Sequence, residues 1–213
     1  MPCCTRYCAE THFGKERAES DLRTYQLKGV QGITRIVVEE VKRLPLAGKE
    51  LLDVGGGIGI IGIELAASGV SGATMVEASP AYLEVAQAEM KPRYGSRPTE
   101  FVLGDFAQIA GSLPAADLVT LDRVVCCYPD FHALLAAAAG RTRETLVLSY
   151  PRDRWYVRAG VAMENLLRRI KGKSFTVVVH PEYQMRSTLE QAGLEQSGRR
   201  ETFFWAVDLY RRA

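Results

Sequence analysis

The stretch LLDVGGGIGIIGIELA, Leu51 to Ala66, decides how the rest of the chain is read. Its apolar opening is too short for a helix. Four glycines, Gly55, Gly56, Gly57 and Gly59, then interrupt it, and apolar residues resume at helical spacing through Ile60, Ile63 and Ala67. The pattern predicts a strand, a tight glycine turn and a helix. Glycine accepts positive φ and lets a ligand touch the backbone, and a helix start offers unpaired N–H groups with a partial positive charge. A small ligand is therefore expected across this turn.

Gly57, Gly59 and Gly62 satisfy G-x-G-x-x-G, which alone points weakly to a dinucleotide. Asp53 argues otherwise, because a carboxylate before the turn suits a ligand carrying an amino group; it could also only cap the turn. Downstream, GATMVEASPAYLEVAQAEM reads as a strand ending at Glu77 and a helix capped at Ser79 with Pro80 in its first turn. Glu77 stands where an acid accepts hydrogen bonds from ribose hydroxyls, which supports a nucleoside without choosing one. FVLGDFAQI adds a third strand and then Asp105-Phe106, a carboxylate for an exocyclic amine and a ring for an adenine face. Residues 116–121 form the next strand. The loop after it, Asp122 to Pro129, should line the cleft at the carboxyl ends of the strands, with Asp122 on the cofactor side and Arg123 and Tyr128 on the substrate side.

Around this centre, 11–28 and 33–44 read as helices, the first stopped by Gly29 and the second by Pro45, and Tyr25 either faces the cleft or packs. After a helix at 131–139 and a fifth strand at 144–149 come Tyr150, Arg152 and Trp155, placed as substrate contacts. An added amphipathic helix spans 153–172. Between Arg152 and Lys173 lie seven basic and two acidic side chains, which fit either a solvated face or a lid for an anion. Residues 175–180 are extended and end at His180, the candidate general base. A helix from Pro181 to about Ala192 precedes a hairpin over 194–211, an antiparallel end foreign to dehydrogenases.

From Leu51 onward the layout resembles the class I S-adenosylmethionine-dependent methyltransferases. Within them it is similar to the magnesium-protoporphyrin O-methyltransferase-like group, through the DVGGGIG turn, the Tyr128-Pro129 loop and the added helix after the fifth strand. The loop departs from that group at Cys127, where histidine is usual, and at Arg123, where an acid is. The resemblance implies an α/β, Rossmann-like fold with a mostly parallel sheet and an antiparallel C-terminal hairpin. It also implies S-adenosylmethionine as cofactor, held by Asp53, Gly55, Gly57, Gly59, Glu77, Asp105, Phe106 and Asp122. The expected organisation is a helical cap over 1–45 and a methyltransferase domain over 46–213 with 152–180 as a lid.

Composition sets the outer limits. A 47% hydrophobic content is ample for one core, and a net charge of +2 calls for neither nucleic acid nor a membrane as partner. No apolar run reaches spanning length and no leader is evident, so a cytoplasmic protein acting on a small, possibly anionic molecule is expected. Five cysteines are not a secreted disulfide framework. Cys4, Cys8 and His12 are spaced four apart, but a fourth metal ligand is not evident, and an iron–sulfur pattern would need cysteine at Thr11; Cys3, Cys4 and Cys8 read as tail thiols and no metal site is expected. Three rivals stay open: an NAD(P)-dependent oxidoreductase, a thiol-dependent arsenic methyltransferase using Cys126, Cys127 and an N-terminal cysteine, and a non-catalytic nucleoside-binding module.

Overall fold

The computed structural model describes residues 12–173 and 175–213; Cys3, Cys4 and Cys8 lie outside the described residues. Strands β1 (Glu50–Val54), β2 (Gly72–Glu77), β3 (Thr99–Leu103), β4 (Ala116–Asp122) and β5 (Thr142–Pro151) pair in parallel. Strands β6 (Leu194–Glu201) and β7 (Trp205–Arg212) form the predicted hairpin, and β7 runs antiparallel to β5. The seven-stranded order is β3-β2-β1-β4-β5-β7-β6. Dinucleotide folds of the 3-2-1-4-5-6 type have no such reversed strand between the fifth and the last.

The apolar run of β1 is continuous because both sheet faces are covered. Leu52 packs with Val54, Val119, Leu121, Leu134 and Leu135 on one face, and Leu51 with Val37, Val41, Ile63, Met75 and Met90 on the other. Helices α2 (Gly32–Lys42), α3 (Ile60–Leu65) and α4 (Pro80–Tyr94) supply the second layer; α5 (Phe106–Ile109), α6 (Phe131–Arg141) and α8 (Glu182–Gln191) supply the first. Helix α1 (Lys15–Lys28) lies against α4 through Ala18 and Tyr82, and Gly29 at φ 67° ends it as expected. Helix α7 (Trp155–Ile170) is the added element after β5.

Local signals explain most boundaries. Ser79 caps α4 by accepting the Tyr82 N–H at 3.3 Å, with Pro80 following. Strand β5 runs longer than its apolar core because β7 pairs with it from Thr145 to Pro151. The segment after α7 is extended without a ladder. Asn165 holds it by bonding both backbone groups of Val177 at 2.7 and 3.0 Å, and the Val178 N–H reaches Cys126 O at 2.7 Å. No helix among the described residues is long and apolar enough to cross a membrane.

Candidate active site

A cavity of about 360 Å³ opens at the carboxyl ends of β1, β2 and β4, in the size range of small-molecule sites. Gly55, Gly57, Glu77, Asp105, Phe106, Asp122, Arg123 and Tyr128, all expected there, line it.

The glycines do different work. Gly55 and Gly57 both sit at φ 61°, and a side chain at Gly55 would meet Val124 Cγ2 at 2.7 Å. Gly59 does not line the cavity; it turns into α3 at φ 82°, and a Cβ there would strike Met90 Sδ at 2.8 Å. Asp53, expected against the cofactor, is displaced from the cavity too. Its side chain is fully buried beneath Gly56, whose Cβ would fall 2.5 Å from Asp53 Oδ2, and it does not line the cavity. Asp53 Oδ1 accepts from Thr120 Oγ1 at 2.7 Å, from the residue paired with it on β4. Oδ2 has no hydrogen-bond partner among the described residues, and burial pushes the carboxyl up to about 7. It lies directly under the turn.

Glu77 joins the turn to the next strand. Its Oε2 accepts from the Gly57 N–H at 3.0 Å and its Oε1 from the Ser79 N–H at 2.9 Å. Burial raises its pKa against those hydrogen bonds. Asp105 caps α5 by accepting the Ala107 N–H at 3.1 Å, and also receives the Tyr128 hydroxyl at 3.0 and 3.1 Å, which ties the ends of β3 and β4 together.

Asp122 is held by side chains from two other elements, α2 and β5. Thr34 Oγ1 donates to its Oδ2 at 2.5 Å, Ser149 Oγ donates to its Oδ1, and the Arg123 guanidinium stands 3.5 Å away. Arg123 itself adopts φ 60°, alone among the described non-glycine residues in that region, and its N–H reaches Ser149 Oγ at 2.9 Å. Such a residue costs on the order of 1–3 kcal/mol and persists where neighbours over-determine it. Here the strain re-aims the chain after β4 so that residues 123–128 cross the cavity mouth.

The roof comes from elements with no glycine or acid motif to announce them. Phe13, Arg17 and Asp21 belong to the first helix and its approach, while Val161, Glu164 and Arg168 belong to α7. Asp21 accepts from Tyr82 at 2.6 Å, and Phe13 O accepts from Ser79 Oγ at 2.6 Å. His12 stacks on Phe175 at 4.2 Å, and the Arg168 guanidinium covers the same ring at 5.0 Å. Burial and then Arg17 lower His12 to about 4, so it is neutral near pH 7. Charged and aromatic spacing in 13–21 and the inward side of α7 were the available signals.

Five expected residues lie elsewhere. Tyr25 donates to Glu64 at 2.9 Å on the α1–α3 side. Tyr150 is buried against Asp208 and Arg199. Arg152 is held by Glu201 and by Thr202 O at 3.0 Å, so it is not available to a substrate. Trp155 is 82% exposed on the outer side of α7. His180 is 6% exposed and outside the cavity, with Nε2 3.1 Å from both Val125 O and Tyr128 O. Two carbonyls can only accept, so Nε2 carries the hydrogen and His180 braces the loop, away from the cavity that a general base would have to reach. Burial lowers its pKa, which keeps it neutral.

No family model matches the sequence, and no curated protein matches it. Solved structures do match in shape. The magnesium protoporphyrin IX methyltransferase of Synechocystis PCC 6803 with bound S-adenosylhomocysteine superposes with a TM-score of 0.75 at 19% identity, covering 98% of this chain and 99% of that one. An O-methyltransferase family protein from Burkholderia thailandensis gives 0.71 at 17% identity, over 99% of this chain and 64% of that one. A TehB-like SAM-dependent methyltransferase from Corynebacterium glutamicum gives 0.66 at 15%, over 93% and 98%. The chain thus has the Rossmann-like fold of the S-adenosylmethionine-dependent methyltransferases.

Proposed function

We propose that this chain is an S-adenosylmethionine-dependent methyltransferase acting on a small molecule with an apolar body and an anionic group. The observation that carries the reading is the placement of Glu77, Asp105 and Asp122 at the ends of three strands, all opening on the cavity that Gly55 and Gly57 border. These donor and acceptor types fit the cofactor. Glu77 suits the ribose hydroxyls, Asp105 with Phe106 the adenine, and Asp122, in place of the buried Asp53, the ammonium of the methionyl part. S-adenosylmethionine would supply a methyl group already activated by its sulfonium.

What the chain contributes is alignment and exclusion of water. The Phe13–Phe175 roof and α7 cover the cavity, in keeping with residues 1–45 as a cap and 152–180 as a lid over a domain of 46–213. Arg123 lines the substrate end beside Val161, Val177 and Phe175, and Arg168, which Glu164 on the same helix holds, lines it too. Arginine forks orient carboxylates bidentately, which supports an anionic substrate group there.

Titration calorimetry with S-adenosylmethionine and S-adenosylhomocysteine tests the cofactor. Labelled S-adenosylmethionine incubated with fractionated extract then shows what gains a methyl. Binding of neither nucleoside, or preferential binding of NAD(P), would overturn the reading.

A further inference from the structure

Helix α2 buries an apolar face of Ile33, Val37, Val38 and Val41, and one hydroxyl lies among them. Thr34 is 5% exposed, and valine would fill the same space with no polar atom to satisfy. A threonine in a helix commonly turns its hydroxyl back to the carbonyl four residues earlier. The Thr34 hydroxyl instead leaves the helix and donates to Asp122 Oδ2 at 2.5 Å, at the carboxyl end of β4.

The other oxygen of Asp122 is held in the same way. Ser149 Oγ accepts the Arg123 N–H at 2.9 Å, and its own hydrogen goes to Asp122 Oδ1. Two neutral hydroxyls, one from the cap and one from β5, thus fix the plane of the carboxylate without cancelling its charge. Each oxygen keeps a second lone pair. Arg123 stands 3.5 Å from Oδ2, longer than a charge-assisted hydrogen bond, with its side chain 54% exposed. The Asp122 side chain is only 9% exposed and lines the cavity. An enclosed carboxylate, oriented and not neutralised by its hydroxyl partners, is arranged for a cation that enters from the cavity.

Building on the methyltransferase reading, we propose that Thr34 is a positioning residue for the amino-acid tail of the cofactor. Through Asp122 it makes the pocket select S-adenosyl compounds over nucleosides that lack the tail ammonium. The cap then takes part in cofactor choice, although Thr34 itself does not line the cavity. An ammonium is a set of donors only, and an acceptor aimed beforehand binds it without the loss that ordering a loose side chain entails. Without the Thr34 hydroxyl, Asp122 keeps its charge and its Ser149 contact but is free to turn toward Arg123. The nucleoside end is held independently, Glu77 by the Gly57 and Ser79 N–H groups and Asp105 by the Ala107 N–H.

Titration calorimetry with two probes tests this. S-adenosylhomocysteine carries the tail, and 5′-methylthioadenosine is the same thioether nucleoside with a methyl group in its place; the parent should bind the first more tightly. Thr34→Val should weaken S-adenosylhomocysteine binding by roughly 10-fold or more, the loss expected of a hydrogen bond to a charged group, and leave 5′-methylthioadenosine within about twofold. Thr34→Ser, which restores a hydroxyl, should recover most of the loss. Asp122→Asn should show the same loss of preference, and adding Thr34→Val to it should weaken binding no further, because both act on one contact. A merely structural threonine would weaken both probes together, and additive losses in the double variant would mean that Thr34 acts elsewhere than on Asp122; either result overturns the proposal. An unchanged preference in Thr34→Val, or a parent that binds both probes equally, overturns it too and leaves the methyltransferase reading standing. A parent that binds neither probe removes the reading and the proposal together. Should valine prevent folding, Thr34→Ala is read in the same way.

Discussion

Replacing Asp53 with asparagine separates the architecture of the glycine turn from its chemistry. The carboxyl is fully buried, takes one hydrogen bond from Thr120 at 2.7 Å, and leaves Oδ2 without a partner among the described residues. Burial, with Asp122 and Glu77 adding negative charge, raises it from 3.8 to about 7. The folded state therefore holds a proton here that the unfolded chain releases near pH 4. Stability from this group is complete below that pH and falls as pH rises through 7. Three units at 1.36 kcal/mol each make the whole fall about 4 kcal/mol. Asparagine cannot titrate, but its amide leaves buried N–H groups unmatched, which costs about 1–3 kcal/mol. Urea denaturation of parent and Asp53→Asn from pH 4 to 8 should show two crossing curves, with the variant less stable at pH 4 and more stable at pH 8. Glu77 and Asp208, also raised by burial, titrate in both proteins and largely cancel in the difference. Parallel curves would refute the picture of Asp53 as a buried, protonated brace.

Gly57→Val forces a β-branched residue to φ 61°, a strain on the order of 1–3 kcal/mol, and should weaken S-adenosylmethionine binding in calorimetry at least several-fold. Glu77→Gln should raise the KM for the cofactor by roughly 10- to 100-fold, the cost of a charged hydrogen bond, with far less change in kcat. His180→Ala should lower the urea midpoint by removing the brace between Val125 and Tyr128, yet leave the pH profile of kcat unmoved; a shifted profile would restore the histidine as a base. Arg123→Ala should raise substrate KM in a salt-sensitive manner, whereas Arg152→Ala should change stability and leave that KM alone.

The parts of the fold legible in the sequence are those fixed by neighbours along the chain. Gly29 stopping α1, Ser79-Pro80 opening α4 and the Leu51–Ala66 turn all rest on backbone preferences that act within a few residues. Glu77 and Asp105 were readable because a strand end locates them whatever the partner strand does. Tyr150 and Arg152 were not, because β7 and the residues beside it claim both side chains through Asp208, Glu201 and Thr202. The same holds for α7. Its amphipathic pattern was plain, but only its rotation on the cleft turns Arg168 inward and leaves Trp155 outside. The support of Asp122 by Thr34, 88 residues earlier in the chain, has no local signature at all. Asp53 misled for a related reason: the sequence shows an acid before a glycine turn, while its depth beneath Gly56 depends on the packing of β1, β2 and β4 together.

The reversed strand β7 also sets a schedule. It fills the open side of β5 and comes from 205–212, so when residues 142–151 have left the ribosome their partner is still being translated. At ~5–20 residues per second the wait lasts several seconds. Throughout it the nascent chain presents Leu146, Val147 and Leu148 on an unpaired strand edge, the kind of template that recruits other chains. Slowing translation between codons 152 and 204 should therefore lower the soluble yield, and a nascent-chain chaperone that shields apolar edges should restore it.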